Sequence, residues 1–170
     1  MVKKRRKGVK VKFILKVFAF HFSSKNSHRM CMGQSPFITL SWADFQEALK
    51  LLSATLSSRS FSCIYGVPRG GLPLAVALSH RLDIPLSLEP AADMLWCDDI
   101  IDAGTTYLQA RQAFPQATFC AWVAKKFHSE LIYALDLSHK SEWILFPWES
   151  ADQVLVEKKK YLAKSGKKLI

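Results

Sequence analysis

The sequence predicts an α/β domain built on a mainly parallel, twisted sheet flanked by helices. Three observations carry this. Short apolar runs alternate with helix-length segments, the order that builds parallel sheets through crossovers. One such run, Met94 to Cys97, leads straight into two carboxylates, Asp98 and Asp99, which suits a buried parallel strand reaching the sheet rim. Two glycine-bearing turns, Pro68-Arg69-Gly70-Gly71 and Ala103-Gly104-Thr105-Thr106, each stand between a strand and a helix, where open α/β sheets bind ligands.

Each element follows from its residues. Phe37-Ile38-Thr39-Leu40 reads as an opening strand. Ser41 then caps a helix, with Asp44 three residues on completing a capping-box pattern in which Asp replaces the usual Glu. Phe45, Leu49, Leu52 and Leu56 recur at helical spacing and are expected in the core. A strand is expected over 62–67 and a helix over 72–82, stopped by Asp83-Ile84-Pro85. Strands follow at 85–88 and 94–98, then a helix at 105–113 and strands at 117–123 and 131–136. In a parallel sheet the loops after these strands meet at one edge. Arg69, Asp98, Asp99, Asp102 and Lys125 are thereby expected at a single site.

The residue types at that site point to a phosphorylated sugar. Carboxylates at a strand end suit sugar hydroxyls or a hydrated Mg²⁺. The small turn from Ala103 to Thr106 offers free backbone N–H groups, hydroxyls and a helix N-terminus, which together suit a phosphate. Adjacent glycines in the other turn let the backbone approach an anion, and Arg69 can bind phosphate oxygens in a fork.

The segment Met94 to Tyr107 resembles the phosphoribosyl-diphosphate (PRPP) binding motif of type I phosphoribosyltransferases: an apolar strand, Asp-Asp, two apolar residues, Asp, then a Gly/Thr-rich loop. The Arg69-Gly70-Gly71 turn is similar to the Ser-Arg-Gly-Gly turn of the purine-type members, with Pro68 in place of serine. Downstream, the strand ending in Ala124-Lys125 and the segment Trp143-Ile144-Leu145-Phe146-Pro147-Trp148-Glu149 resemble the bacterial xanthine-guanine enzymes. The resemblance runs from about Phe37 to Trp148. It implies transfer of the 5-phosphoribosyl group from PRPP to a 6-oxopurine, with Mg²⁺ as cofactor and a dimer or tetramer as the assembly. Asp98 and Asp99 would hold the ribose hydroxyls, with Asp99 also near the metal. Ala103, Gly104, Thr105 and Thr106 would hold the 5′-phosphate, and Arg69 with Gly70 the pyrophosphate. Asp102 would be the general acid/base, while Lys125, Trp143 and Ile144 would face the purine. Trp148 is read as core packing and Glu149 as a surface acid. Family members carry a long flexible lid before the acidic motif. Here Pro85 to Leu88 is followed by only Glu89 to Asp93, so a reduced hood without that lid is expected. The alternative is a lidless PRPP- or nucleotide-binding sensor or interaction protein.

Composition divides the chain of 170 residues, 49 % of them apolar, into one domain and two tails. The net charge of +10 is unevenly placed: residues 1–36 hold ten Lys/Arg and no acid, 37–155 hold eight against thirteen acids, and 156–170 hold six against one. The core at 37–155 is therefore acidic, and no nucleic-acid partner is expected of it. The basic tails are read as solvated extensions suited at most to weak contact with an anionic membrane surface. Residues 1–36 allow an interfacial helix, a poor signal sequence, or translated sequence ahead of a start at Met30 or Met32. Cys31, Cys63, Cys97 and Cys120 show no CxxC pairing, and the five histidines no metal-ligand spacing, so neither a disulfide framework nor a zinc site is expected and a cytoplasmic setting is the default. No histidine is assigned a role.

Overall fold

The computed structural model describes residues 37–165. The expectations for residues 1–36, Cys31 among them, and for 166–170 lie outside the described residues.

Eleven elements follow in the order β1 (Phe37–Thr39), α1 (Trp42–Leu56), β2 (Ile64–Gly66), α2 (Gly71–Leu82), β3 (Leu86–Ser87), β4 (Leu95–Ile101), α3 (Thr105–Ala113), β5 (Thr118–Ala124), β6 (Leu131–Asp136), β7 (Trp143–Leu145) and α4 (Ala151–Ser165). Five strands form a wholly parallel sheet in the order β3-β2-β4-β5-β6. A second, two-stranded parallel sheet pairs β1 with β7, Phe37 opposite Trp143.

The α1 start is as its residues demand: Asp44 N–H donates to Ser41 Oγ at 3.2 Å and Ser41 N–H to Asp44 Oδ2 at 2.8 Å. Phe45, Leu49, Leu52 and Leu56 are all buried. They pack with Leu74 and Leu78 of α2 against Leu95, Cys97, Cys120 and Trp122 on one face of the sheet. Tyr107 of α3 covers the other face with Met94, Trp96, Phe119 and Leu131. Trp148 is half-buried and packs against this core, its ring stacked on Phe146 at 5.2 Å and tilted against Trp122 at 5.8 Å. Cys97 and Cys120 are buried free thiols with sulfurs 3.3 Å apart, and Cys63 is half-buried.

Two expectations need correction. The strand holding the acids does not stop at Asp98; it runs on to Ile101. Asp98 is thus paired in register with Ala121 inside the sheet, and Asp99 Oδ1 accepts the Ile100 N–H at 2.9 Å. The alternation of faces slips across the acids. Leu95 and Cys97 point to the α1/α2 side and Trp96 to the α3 side, yet Ile100 packs on the former and Ile101 on the latter. The second correction is α4, which carries the chain as a helix through the boundary expected at residue 156. Its Lys158-Lys159-Lys160 run lies within this helix.

Among the described residues, no helix is long and apolar enough to cross a membrane.

Candidate active site

Because β2, β4 and β5 are parallel neighbours, the segments that follow them leave the sheet at one rim. Backbone hydrogen bonds tie these segments together. Val67 N–H donates to Cys97 O at 2.9 Å, and Lys125 N–H to Ile101 O at 2.9 Å. Arg69, Asp102 and Lys125 therefore follow three adjacent strands at one rim, while Asp99 lies inside β4, two residues before its end.

The closest meeting is between the glycine turn and the acids. A Cβ placed on Gly70 would lie 2.0 Å from Asp99 Oδ2, so the bare glycine backbone is what lets the Asp99 carboxylate occupy its position. One residue on, a Cβ on Gly71 would lie 2.4 Å from Cys97 O and 3.0 Å from Asp98 Cα. Gly71 is thus the point where α2 presses on β4, a role local sequence does not reveal. The Pro68–Arg69 peptide is cis. Arg69 projects into solvent, 90 % exposed at its side chain, and its guanidinium pairs with Glu157 of α4 at 3.1 Å.

Asp98 is 8 % exposed and Asp99 half-buried. Burial, reinforced by the charge of Asp99, pushes the Asp98 carboxyl up to about 8 from an ordinary 3.8. Burial also raises Asp99, against the hydrogen bonds it accepts from Asp98 and Ile100. The free protein therefore keeps a proton on this pair near neutrality, a state that a cation or a set of hydroxyl donors would relieve. The pair fits Mg²⁺ in the way that ion is usually held, by one or two carboxylates with phosphate oxygens and water supplying the rest. No group of three or more His, Cys, Asp or Glu side chains among the described residues would hold a metal without such a ligand.

This raised carboxyl sets a sign for stability. The folded chain holds a proton on Asp98 that the unfolded chain releases near 3.8, so the stability it contributes is complete below that pH and is lost as pH rises toward about 8. Asp98→Asn is expected to be more stable than wild type at pH 8 by on the order of 1–3 kcal/mol, with the gap closing toward pH 4. Thermal denaturation of both proteins across that range checks it, and a constant difference would refute the assignment.

The phosphate-type turn is built as a helix start without a side-chain cap. Gly104 takes the left-handed conformation, φ 80°, and no side chain caps α3. The first-turn N–H groups of Thr105 to Tyr107 are then the orphans every helix leaves at its N-terminus. Ala103, Thr105 and Thr106 are exposed at this turn and Gly104 is buried. What buries Gly104 is His128: a Cβ there would lie 2.6 Å from its Nε2, which is itself buried without a hydrogen-bond partner among the described residues. The imidazole lies 4.6 Å from the Tyr107 ring. Burial, then the charges of Lys126 and Arg111, hold it below its ordinary range. Sequence reading gave His128 no role, since nothing local connects it to a loop twenty-odd residues earlier.

Asp102 is exposed beyond the end of β4 and makes no hydrogen bond or ion pair among the described residues, so its carboxylate is open to a ligand. Lys125 reaches across from β5 and donates from Nζ to Glu142 O at 2.5 Å, immediately before Trp143. That bond uses one of three ammonium hydrogens and ties the main sheet to β7. Trp143 is half-buried, with the Tyr161 ring edge-on at 5.7 Å. Ile144 packs its side chain into the main core and is 6 % exposed. Glu149 differs from the surface acid expected of it. It is half-buried, accepts the Phe146 N–H at 3.0 Å, and burial, then the charges of Asp99 and Glu157, raise its carboxyl, with Arg69 opposing.

No protein-family model matches the chain. Among curated proteins, the xanthine-guanine phosphoribosyltransferase of Chromohalobacter salexigens is 27 % identical over 135 residues, covering 65 % of this chain and 83 % of its own. That of Gluconobacter oxydans is 24 % identical over 156 residues, 72 % of this chain and 92 % of its own. Among solved structures, the purine phosphoribosyltransferase of Pyrococcus horikoshii superposes with a TM-score of 0.57 at 26 % identity, over 68 % of this chain and 95 % of that one. The chain is thus similar in sequence to xanthine-guanine phosphoribosyltransferases and in fold to a purine phosphoribosyltransferase.

Proposed function

We propose that this protein transfers the 5-phosphoribosyl group of PRPP to a 6-oxopurine, releasing pyrophosphate, in purine salvage. The observation that carries the proposal is the seating of the Asp99 carboxylate against Gly70, which supports a ribose site and a pyrophosphate site sharing one edge.

Asp98 and Asp99 hold the ribose 2′- and 3′-hydroxyls, accepting from both. Asp99 would hold Mg²⁺, which would supply positive charge to offset that of the pyrophosphate. Arg69, once released from Glu157, would add a guanidinium to the charge that develops on the leaving group. The uncapped start of α3 at Gly104 receives the 5′-phosphate with backbone N–H donors and the Thr105 and Thr106 hydroxyls. With the sugar fixed at both ends, Asp102 exchanges a proton with purine N7 as the base enters. Lys125, steered by its bond to Glu142 O, donates to the purine 6-oxo oxygen. Adenine presents an amine there and leaves the ammonium facing a donor, a mismatch able to discriminate on the order of 10⁴-fold. Trp143 supplies the wall against which the base packs.

Residues 88–94 connect β3 to β4 without an intervening element. A lid of the usual kind excludes water, so slow transfer with some PRPP hydrolysis is expected. The test incubates the protein with PRPP, Mg²⁺ and each of guanine, xanthine, hypoxanthine and adenine while following nucleotide formation. A nucleotide from a 6-oxopurine but not from adenine supports the transferase. Tight PRPP binding with no product from any base would replace it with a sensor.

A further inference from the structure

The transferase reading uses nothing beyond Trp143, yet the element that follows reaches back over two of its ligand-contact residues. α4 presents Val154, Glu157, Lys158 and Tyr161 at helical spacing, the pattern that lines one face of a helix. Val154 is buried at 3 %, whereas Leu155 and Val156 beside it are exposed. The same face carries three contacts toward the site. Glu157 Oε1 accepts from Arg69 Nη2 at 3.1 Å, across 88 residues of chain. Tyr161 meets Trp143 edge-on at 5.7 Å. Lys158 Nζ stands 5.9 Å from the ring centroid of Phe37, the residue paired in register with Trp143.

We propose that α4 is a wall of the binding site, in which Glu157 is an internal anion that holds Arg69 until pyrophosphate displaces it, and Tyr161 braces the Trp143 purine face. The inference rests on the transferase reading and extends it to two positioning residues. The chemistry is a competition between anions for one guanidinium. Glu157 pairs with Arg69, and Glu149 lies within electrostatic reach of both. In the free protein Glu157 holds one nitrogen of the guanidinium that would grip a diphosphate. A diphosphate carries more charge and binds the fork through two oxygens, so it wins, but its affinity is reduced by what Glu157 must give up. The pair is solvent-exposed, with Arg69 90 % and Glu157 50 % accessible. Its loss should hardly touch the fold, which separates a role in binding from a role in structure. Through Tyr161 the same helix senses the purine end, in a chain whose β3–β4 connection is only residues 88–94.

Titration calorimetry with Mg²⁺-pyrophosphate tests the Glu157 half. Glu157→Gln is expected to bind about two- to fivefold tighter than wild type at low ionic strength, with unchanged Tm. The gain should shrink in roughly 1 M salt, where the Debye length falls to about 3 Å. In an Arg69→Gln background the same substitution should make no difference. Equal or weaker binding by Glu157→Gln, or an undiminished gain without Arg69, overturns the proposal. GMP tests the Tyr161 half: Tyr161→Ala should weaken it about two- to tenfold and Tyr161→Phe restore it. Equal affinity for Ala and wild type refutes that role. Wild-type protein that binds neither pyrophosphate nor GMP overturns the transferase reading and this inference together. Normal wild-type binding that is indifferent to both α4 substitutions overturns the inference alone.

Discussion

Gly71→Ala is expected to destabilise the fold, while Gly70→Ala next to it keeps its stability and loses the ligand. Both glycines sit at the start of α2, and Gly70 has ordinary helical angles, φ −62° and ψ −38°, so backbone strain decides neither outcome. What differs is the atom that a methyl group meets. At Gly71 it meets Cys97 O at 2.4 Å, part of the backbone of the central strand β4. That carbonyl already accepts the Val67 N–H at 2.9 Å, and moving it disturbs both neighbouring strands. Overpacking of this kind costs about 1–3 kcal/mol and more where nothing can yield, a drop in Tm of roughly 5–10 °C for a chain of this size. At Gly70 the methyl group meets the Asp99 side chain. A carboxylate can rotate, and once rotated it no longer faces the Arg69 turn. Stability should change by less than about 1 kcal/mol, while PRPP affinity falls on the order of 10²-fold, the penalty for a buried polar group left without its partner. Thermal denaturation and PRPP titration on the two variants check the pair. Equal Tm values, or full PRPP affinity in Gly70→Ala, would break the link between the turn and the acids.

Asp102→Asn should lower kcat about 10²- to 10⁴-fold with KM for PRPP nearly unchanged. The side chain stands in solvent beyond β4 and supports nothing in the described structure, so its removal leaves Tm within about 0.5 kcal/mol equivalent of wild type. Asparagine keeps the size and the hydrogen-bonding reach but cannot take a proton from the entering purine. Nucleotide formation measured at saturating base and PRPP gives kcat directly. Unimpaired turnover would remove Asp102 from the chemistry and shift the proton to solvent.

How much of this was legible in the chain depends on the distance over which each feature is specified. The capping box of Ser41 and Asp44, the buried stripe of α1 and the strand-then-helix alternation are local, and they stand within a few residues of where the pattern puts them. The packing of Trp148 was legible too, since an aromatic among apolar neighbours has few other uses. Other features misled because their meaning is not local. Asp98 and Asp99 read as a strand end because two carboxylates are costly to bury, yet β4 carries them inside the sheet and raises their carboxyls instead. α4 read as a basic tail because its lysine run dominates the composition while its packing face is narrow, Val154 and Tyr161 lying a full seven residues apart.

Taken alone, then, the amino-acid order determined that a parallel α/β sheet would form and that Arg69, Asp102 and Lys125 would follow neighbouring strands at one rim, because strand direction and loop position are set by periodicity and turns. Only the tertiary packing decided that Gly70 would rest on the Asp99 carboxylate, that His128 would lie against Gly104, and that Glu157 would take the Arg69 guanidinium. These contacts join residues from separate elements, and no local propensity encodes them; they exist because burying the two faces of the sheet leaves the helices and turns only one way to meet.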